Sequence, residues 1–250
     1  MNEERHIFSS TALGNERNIW MRIPPRLESV TQLLVILDAE IYRDRVAAPT
    51  IIEELYEQEA IGQAVVVYVS YCNADARWKE CPCHSPFATF VIEELYPWIL
   101  ARLPVLREAR DRVLVGLSYT GLAASFVALK GNGLFNKVIS QSGSYWSNGS
   151  WLTKEYEKFE GGLNVSFYLD VGDEETDVNV LHKEDVLQEV SQIEGVERFR
   201  DVLTEKGCAV QFAMFSGGHS SEGWASTLPS ALKWALPIES PSNNSNSGLH

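Results

Sequence analysis

The sequence contains few of the residues that bind metals or cross-link small folds. Among its 250 residues there are four cysteines and five histidines. Cys81, Cys83 and His84 lie together as CPCH, but structural zinc sites use wider pair spacing and a second pair, for which only Cys72 and Cys208 remain. We therefore expect reduced thiols, no bound metal and no other cofactor.

Long apolar runs and excess basic charge are also missing. No stretch reaches the roughly 20 apolar residues of a membrane-spanning helix, and the opening MNEERHIFSS lacks the apolar segment of a secretory signal. There are 21 Lys and Arg against 34 Asp and Glu, a net charge of −13, whereas nucleic acids and anionic membranes require a basic face. These features predict a cytoplasmic protein that binds neither nucleic acid nor membrane. A processed periplasmic form would share them, and the oligomeric state stays open.

Apolar segments alternate with helical patterns along the chain. The runs at 32–38, 64–71 and 112–117 are apolar almost throughout, which is typical of parallel strands buried on both faces. Further strands are predicted at 19–23, 137–142, 165–171 and 208–215, and helices at 51–56, 85–98 with a bend or break at Pro97, 122–130, 184–206 and 224–236 with an interruption or start at Pro229. This alternation predicts an α/β fold with a mostly parallel central sheet and helices on both faces. We expect a single domain over 1–238, followed by a tail, 239–250, with the composition of disorder.

The segment RVLVGLSYTGLAAS, residues 112–125, places a serine where a buried strand turns into a helix. Gly116 precedes Ser118 by two residues and Gly121 follows it by three, so the pattern approaches G-x-S-x-G with Thr120 at the second glycine. In that motif, small neighbours permit a tight turn that exposes a nucleophilic serine. A serine that only caps the helix is the alternative.

A serine hydroxyl attacks an ester only when a base accepts its proton, and the base is normally a histidine oriented by a carboxylate. His219 is the candidate base, because it follows the predicted strand 208–215 and two glycines. An acidic loop after the strand 165–171 supplies the possible acids, Asp173, Glu174, Glu175 and Asp177. The order serine, acid, histidine, each beyond a strand end, predicts an enzyme that cleaves esters or amides.

Acyl transfer also requires hydrogen-bond donors for the negative oxygen of the intermediate. The backbone N–H of Tyr119, directly after the serine, is the first predicted donor. The second is predicted in the loop after the strand 32–38, at the N–H of Glu40 or, as the alternative, of Ala39.

Several blocks of the sequence, in the same order, resemble the ferric enterochelin (enterobactin) esterases, within the esterase-D-like α/β-hydrolases. They are NIWMRIPP, LLVILDAE, RWKECPCHSPFATFVIEELYPWI, GLSYTGLAA, SQSGSYW, VGDEET, SQIEG and GGHSSEGWASTLPSAL, and they cover most of residues 15–236. The resemblance implies an α/β-hydrolase fold with Ser118 as nucleophile, His219 as base and Glu175 as acid, with Asp173 as the alternative acid.

The chain departs from the family pattern at three positions. Thr120 and Ala39 replace glycines, so the turn at the serine and the loop of the second donor are expected to differ in shape. Ser220 stands where the family usually has an aspartate after the histidine. These departures bear on substrate preference more than on hydrolytic chemistry.

The resemblance implies a substrate class as well. Substrates of this family are catecholate siderophores built on a macrocyclic triester of serine, so the implied function is a serine esterase that opens an enterobactin-like trilactone. An esterase or thioesterase of the same fold in secondary metabolism or detoxification is the alternative, and a non-catalytic binding protein is a third.

The ferric siderophore complex is an anion, and a protein at −13 needs local cations to attract it. Arg77 is the first candidate, with pairing to Glu80 as its structural alternative. Arg43 and Arg45 are the next candidate cations for binding this anion. Trp146 is a candidate to stack on a catechol ring, or else a core residue.

Overall fold

The computed structural model describes residues 1–27 and 30–238. Its centre is an eight-stranded sheet in the order β1-β2-β4-β3-β5-β6-β7-β10. The strands are β1 Asn2–Ser10, β2 Asn15–Ile23, β3 Gln32–Leu37, β4 Ala64–Val69, β5 Asp111–Leu117, β6 Lys137–Gln141, β7 Ser166–Gly172 and β10 Val210–Phe215. The strands from β4 to β10 in this order run parallel, while β2 pairs antiparallel with both of its neighbours, β1 and β4. The predicted tail 239–250 lies outside the described residues.

Helices cover both faces of this sheet, as predicted. They are α1 Ala39–Asp44, α2 Ala48–Glu57, α3 Ala74–Glu80, α4 Ser85–Thr89, α5 Tyr96–Arg102, α6 Tyr119–Lys130, α7 Ser147–Lys158, α8 Gln192–Glu205 and α9 Ser221–Ala235. The apolar sides of α1, α2 and α9 form one core, and the helices from α3 to α8 pack into a second core on the opposite face. All residues of β3 and β4 are buried, because each side of these strands is covered.

Three helix predictions need correction. The predicted helix 184–206 is wrong in its first part, because β9 (Val186–Gln188) pairs there with β8 (Val180–Lys183) as a separate antiparallel hairpin. Ser191 caps α8 by accepting a hydrogen bond from the N–H of Glu194, which sets the helix start.

Pro97 does not break its helix, since it lies in the first turn of α5 directly after a π-helical segment, Phe90–Leu95. Pro229 lies inside α9.

The parallel strands place the loops of interest side by side. Since β5, β6, β7 and β10 are neighbours and share one direction, the loops after their carboxyl ends meet at one edge of the sheet. Ligands bind at this edge in open α/β sheets. The chain segments that follow these four strands begin with Ser118, Ser142, Asp173 and Ser216.

Three further observations bear on the sequence expectations. Within residues 1–27 and 30–238, no helix combines the length and apolar character needed to cross a bilayer. In the same ranges, no three side chains of His, Cys, Asp or Glu cluster as a metal site would require. The four cysteines are free thiols, and burial raises the pKa of both Cys81 and Cys83 to about 12, so both remain protonated near neutral pH.

Candidate active site

Ser118 lies in a tight turn between β5 and α6. Its φ of 52° and ψ of −124° form a backbone conformation that non-glycine residues rarely adopt. The turn requires a glycine at 116, because a Cβ there would come within 2.2 Å of the carbonyl oxygen of Thr120. Gly121 is required for a similar reason, since its Cβ would meet Oγ of Ser140 at 2.5 Å. The chain therefore turns sharply and holds the serine clear of the sheet.

Thr120, which replaces the second glycine of the motif, stabilises this turn. Its buried hydroxyl donates to the carbonyl of Leu117 and accepts from the N–H of Leu117, both at 2.8 Å. Both polar groups of the last strand residue are thus satisfied by one side chain. The departure from the family pattern is compatible with the tight turn, because the threonine side chain points back to the strand.

The structure brings His219 to Ser118. Nε2 of His219 lies 2.9 Å from Oγ of Ser118, although the two residues are 101 positions apart. His219 sits between β10 and α9, and Ser220 is the N-cap of α9, accepting a hydrogen bond from the N–H of Gly223 at 3.2 Å. A serine at 220 thereby gives the helix a capping side chain where the family usually has an aspartate.

Glu175 occupies the other side of the imidazole. Its Oε2 lies 2.5 Å from Nδ1 of His219, and its side chain is almost completely buried. Asp173 is exposed and lies elsewhere in the loop, where its Oδ1 accepts from the N–H of Gly217 at 2.9 Å. Of the two acids left open by the family resemblance, Glu175 is therefore the one that contacts the imidazole, and Asp173 stabilises the loop before it.

The predicted oxyanion donors lie at the starts of α6 and α1. Tyr119 is the first residue of α6, and Ala39 and Glu40 are the first two of α1, positions at which helix N–H groups have no partner within the helix. Partial burial of its carboxyl raises the pKa of Glu40, and hydrogen bonds from its own N–H and that of Tyr71 oppose the rise. The amide of Glu40 thus has a competing acceptor in its own carboxylate, so both residues of α1 stay predictions.

A cavity of about 250 Å³ opens beside Ser118 and His219. Four aromatic side chains form part of its wall: Trp78, Tyr119, Trp146 and His182. Trp146 is 4% exposed, and the ring of His182 stacks on its indole with a centroid distance of 5.1 Å and an interplanar angle of 10°. The sequence-predicted Trp146 therefore lines the cavity, but His182 already covers one face of its indole. The arrangement fits a planar aromatic group.

The candidate cations differ in their positions. Arg77 pairs with Asp38 at 2.7 Å rather than with Glu80, which binds Arg17, and it lines the aromatic cavity. Arg43 pairs with Glu3 on the β1 side of the molecule. Arg45 lines a second cavity of about 340 Å³, which also borders Ser118, His219 and Arg77. Ser118 and His219 thus lie between two cavities, and Arg77 borders both.

Several cavity residues were missed by the sequence reasoning. His182, Gln188 and Gln192 line the cavity, and Gln192 accepts from Nε1 of Trp146 at 2.6 Å. His182 lies on the β8–β9 hairpin, in a segment for which the sequence predicted no strand. No local pattern announces this placement, since the hairpin reaches the cavity only through tertiary packing. Trp78 is the cavity residue that the sequence could have indicated, because it directly follows the candidate Arg77.

Comparison with curated proteins gives a clear family relationship. The putative esterase family matches residues 10–235 of this chain. An iron(III) enterobactin esterase from Dickeya dadantii (strain 3937) is 26% identical over 240 residues, which cover 94% of this chain and 55% of that protein. This chain therefore spans little more than half the length of that relative.

Solved structures show the same fold. An enterobactin esterase from Shigella flexneri, crystallised in the presence of enterobactin, superposes with a TM-score of 0.77 at 22% identity, covering 94% of this chain and 58% of that chain. The BES protein from Bacillus cereus has a TM-score of 0.69 at 18% identity, covering 95% of both chains. The predicted α/β-hydrolase fold and the resemblance to enterochelin esterases are both confirmed. With a match over residues 10–235, this chain belongs to the putative esterase family.

Proposed function

We propose that this chain is a serine hydrolase that cleaves carboxylic esters with Ser118, His219 and Glu175. The observation that carries the proposal is the continuous hydrogen-bond path from Oγ of Ser118 through the imidazole to a buried carboxylate, at 2.9 and 2.5 Å. With Nδ1–H of His219 donating to Glu175, Nε2 is left as an acceptor for the serine proton.

The first half of the reaction forms an acyl-enzyme. Oγ of Ser118 bonds to the ester carbon while His219 Nε2 takes the hydroxyl proton, and the carbonyl π electrons move onto the oxygen. The N–H of Tyr119 and a second N–H from the start of α1 stabilise that oxyanion. The ester C–O bond then breaks, and the alcohol leaves with the proton from His219.

The second half regenerates the serine. A water molecule gives a proton to Nε2 of His219 and attacks the acyl carbon, and the resulting tetrahedral intermediate releases Ser118 with that proton. The products are a carboxylic acid and an alcohol. Glu175 stays ionised throughout, where it stabilises the imidazolium and keeps the ring in one orientation.

For the substrate, we propose an ester that carries aromatic rings, specifically a catecholate siderophore of the enterobactin trilactone type. Two findings support this choice: the aromatic wall beside Ser118, and the names of the curated relatives, iron(III) enterobactin esterases. Among the described residues that line the two cavities, the cations are Arg77, which Asp38 neutralises, and Arg45, which is therefore the one available to attract an anionic ferric complex. The cytoplasmic location expected from the sequence stays a prediction.

The test is hydrolysis of a triscatecholate trilactone, with and without iron, followed by mass spectrometry beside short acyl esters. We expect the trilactone to be opened, and Ser118→Ala to abolish cleavage of every substrate with an unchanged circular dichroism spectrum. If short esters are cleaved while the trilactone is untouched at high enzyme concentration, the siderophore assignment is wrong and another ester or thioester is the substrate. If Ser118→Ala retains activity, the assignment of the nucleophile is wrong.

A further inference from the structure

Glu175 is held by one group from its own segment of the chain and by one from the loop after β6. Its Oε1 accepts a hydrogen bond from the hydroxyl of Ser142 at 2.6 Å and from the N–H of Gly172 at 2.8 Å. The other oxygen, Oε2, is thereby left to face His219 at 2.5 Å. Two donors on one oxygen fix both the position and the rotation of the carboxylate plane.

The hydroxyl proton of Ser142 has only one direction available. Nε1 of Trp224 lies 3.0 Å from Oγ of Ser142, and an indole nitrogen can only donate. The Ser142 oxygen therefore accepts from Trp224, and its single proton is left for Glu175. Both side chains are buried, so water does not compete for these bonds.

The backbone at Ser142 is built to deliver this hydroxyl. Ser142 has a φ of 45°, in the left-handed region that favours glycine, yet the residue carries a side chain. Its N–H donates to the carbonyl of Asp170 at 2.9 Å, and its carbonyl accepts from Nε2 of Gln192 at 2.6 Å. These bonds hold an unfavourable conformation that aims Oγ at the carboxylate.

The topology explains the choice of this residue. Ser142 follows β6, which lies between β5, the strand that ends at Ser118, and β7, the strand that leads to Glu175. Trp224 belongs to α9, which begins just after His219, and its ring meets the imidazole edge to face, with centroids 4.9 Å apart. Trp224 therefore contacts the base and, through Ser142, orients the acid.

We infer that Ser142, with its proton directed by Trp224, is a positioning residue that sets the orientation of Glu175 toward His219. This inference rests on the proposed function, since it assigns a role within that reaction. Losing the hydroxyl leaves one donor on Oε1 and lets the carboxylate rotate away from Nδ1. A hydrogen bond to a charged group of this kind corresponds to roughly a 10- to 100-fold effect on the rate.

The experiment compares Ser142→Ala and Ser142→Gly with Trp224→Phe and a control, Ser10→Ala. The glycine variant relieves the backbone strain and the alanine variant keeps it, while both remove the hydroxyl. Trp224→Phe keeps an aromatic ring beside His219 but removes the N–H donor. Ser10 is a buried serine at the end of β1 that also donates to a carboxylate, Oε2 of Glu94 at 2.5 Å, and neither residue lines the two cavities beside Ser118.

We expect both Ser142 variants to lower kcat about 10- to 100-fold on an aryl ester, with KM changed less than about twofold, and Trp224→Phe to lower kcat about 3- to 10-fold. Ser10→Ala should stay within about twofold of wild type in kcat. The proton NMR signal of the His219–Glu175 hydrogen bond, read at low temperature, should move upfield in the Ser142 variants, less far in Trp224→Phe, and not in Ser10→Ala. Melting temperatures report folding separately.

Two outcomes separate the positioning role from the proposed function. A Ser142→Ala protein with wild-type kcat and an unmoved downfield signal overturns the positioning role. A wild-type protein that cleaves no ester, but whose downfield signal moves in Ser142→Ala, overturns the proposed function and supports the positioning role, because that signal does not depend on turnover.

Discussion

One carboxylate oxygen of Asp38 lies 2.8 Å from Nε and 2.7 Å from Nη2 of Arg77. Asp38 has a φ of 65° and precedes α1, where the second oxyanion donor is predicted, while Arg77 borders both cavities beside Ser118. The ion pair is largely buried, with the Asp38 side chain 3% exposed. It therefore ties the loop of the predicted donor to the wall of the candidate site.

Replacing Arg77 should destabilise the fold as well as the site. Arg77→Gln leaves the buried Asp38 without a cation, and breaking a buried pair on one side costs about 3–5 kcal/mol of unfolding free energy. The double variant with Asp38→Asn should recover part of that loss, because it removes the uncompensated charge. Urea denaturation of the single and double variants measures both values. Equal stability of Arg77→Gln and wild type would show that the pair contributes nothing.

The two acids of the 173–177 loop should differ sharply in their effect on catalysis. Glu175→Gln removes the charge that faces Nδ1 of His219, and we expect kcat to fall by about 100- to 10,000-fold on an aryl ester. Asp173→Asn is the matched control, because its amide oxygen still accepts from the N–H of Gly217, and its kcat should stay within about threefold. The reverse ranking in steady-state kinetics would assign the acid to Asp173.

The buried carboxyl of Asp170 should make stability depend on pH. Burial is the main cause that raises its pKa to about 7, and the charge of Glu175 adds to the rise. The folded protein therefore keeps a proton that the unfolded chain loses near pH 4, so this group favours folding less and less as pH rises from about 4 to about 7. The full change corresponds to roughly 4 kcal/mol.

Asp170→Asn removes this titration. Urea midpoints of the variant and of wild type, taken from pH 4 to pH 8, should diverge in favour of the variant as pH rises. Asp185→Asn, at an exposed position of the hairpin turn, is the control and should keep a constant difference from wild type. A constant difference for Asp170→Asn as well would mean that the carboxyl titrates normally in the folded state.

His182 should govern the preference for aromatic substrates. Removing its ring in His182→Ala takes one aromatic ring from the cavity wall, and a pair between such a ring and a substrate ring contributes about 0.5–1.5 kcal/mol. We expect KM for an aromatic ester to rise about 2- to 10-fold, with little change for an acetyl ester of a small alcohol. Leu181→Ala, the 65% exposed neighbour on β8, is the control. An equal rise for both esters would remove His182 from aromatic recognition.

Local patterns were sufficient for much of the sheet. The almost entirely apolar runs identified β3, β4 and β5, because strands covered on both faces bury nearly all of their side chains. β1 was missed, since it is an edge strand in which polar residues alternate with few buried ones. The region 184–191 was misassigned, because its apolar residues match a helical period by chance while two of them pair as a short strand with β8.

By itself, the sequence determined the fold class, the turn at Ser118, and the chain order of serine, acidic loop and histidine. These features follow from short-range properties of the chain. The small residues at 116 and 121, and the apolar strand before the turn, all lie within a few residues of Ser118. Only the tertiary structure decided that Glu175 rather than Asp173 meets His219, that Ser142 and Trp224 hold Glu175, and that His182 covers Trp146. Each of those contacts joins side chains from different strand ends or helices, so their distances depend on how the sheet packs and not on spacing along the chain.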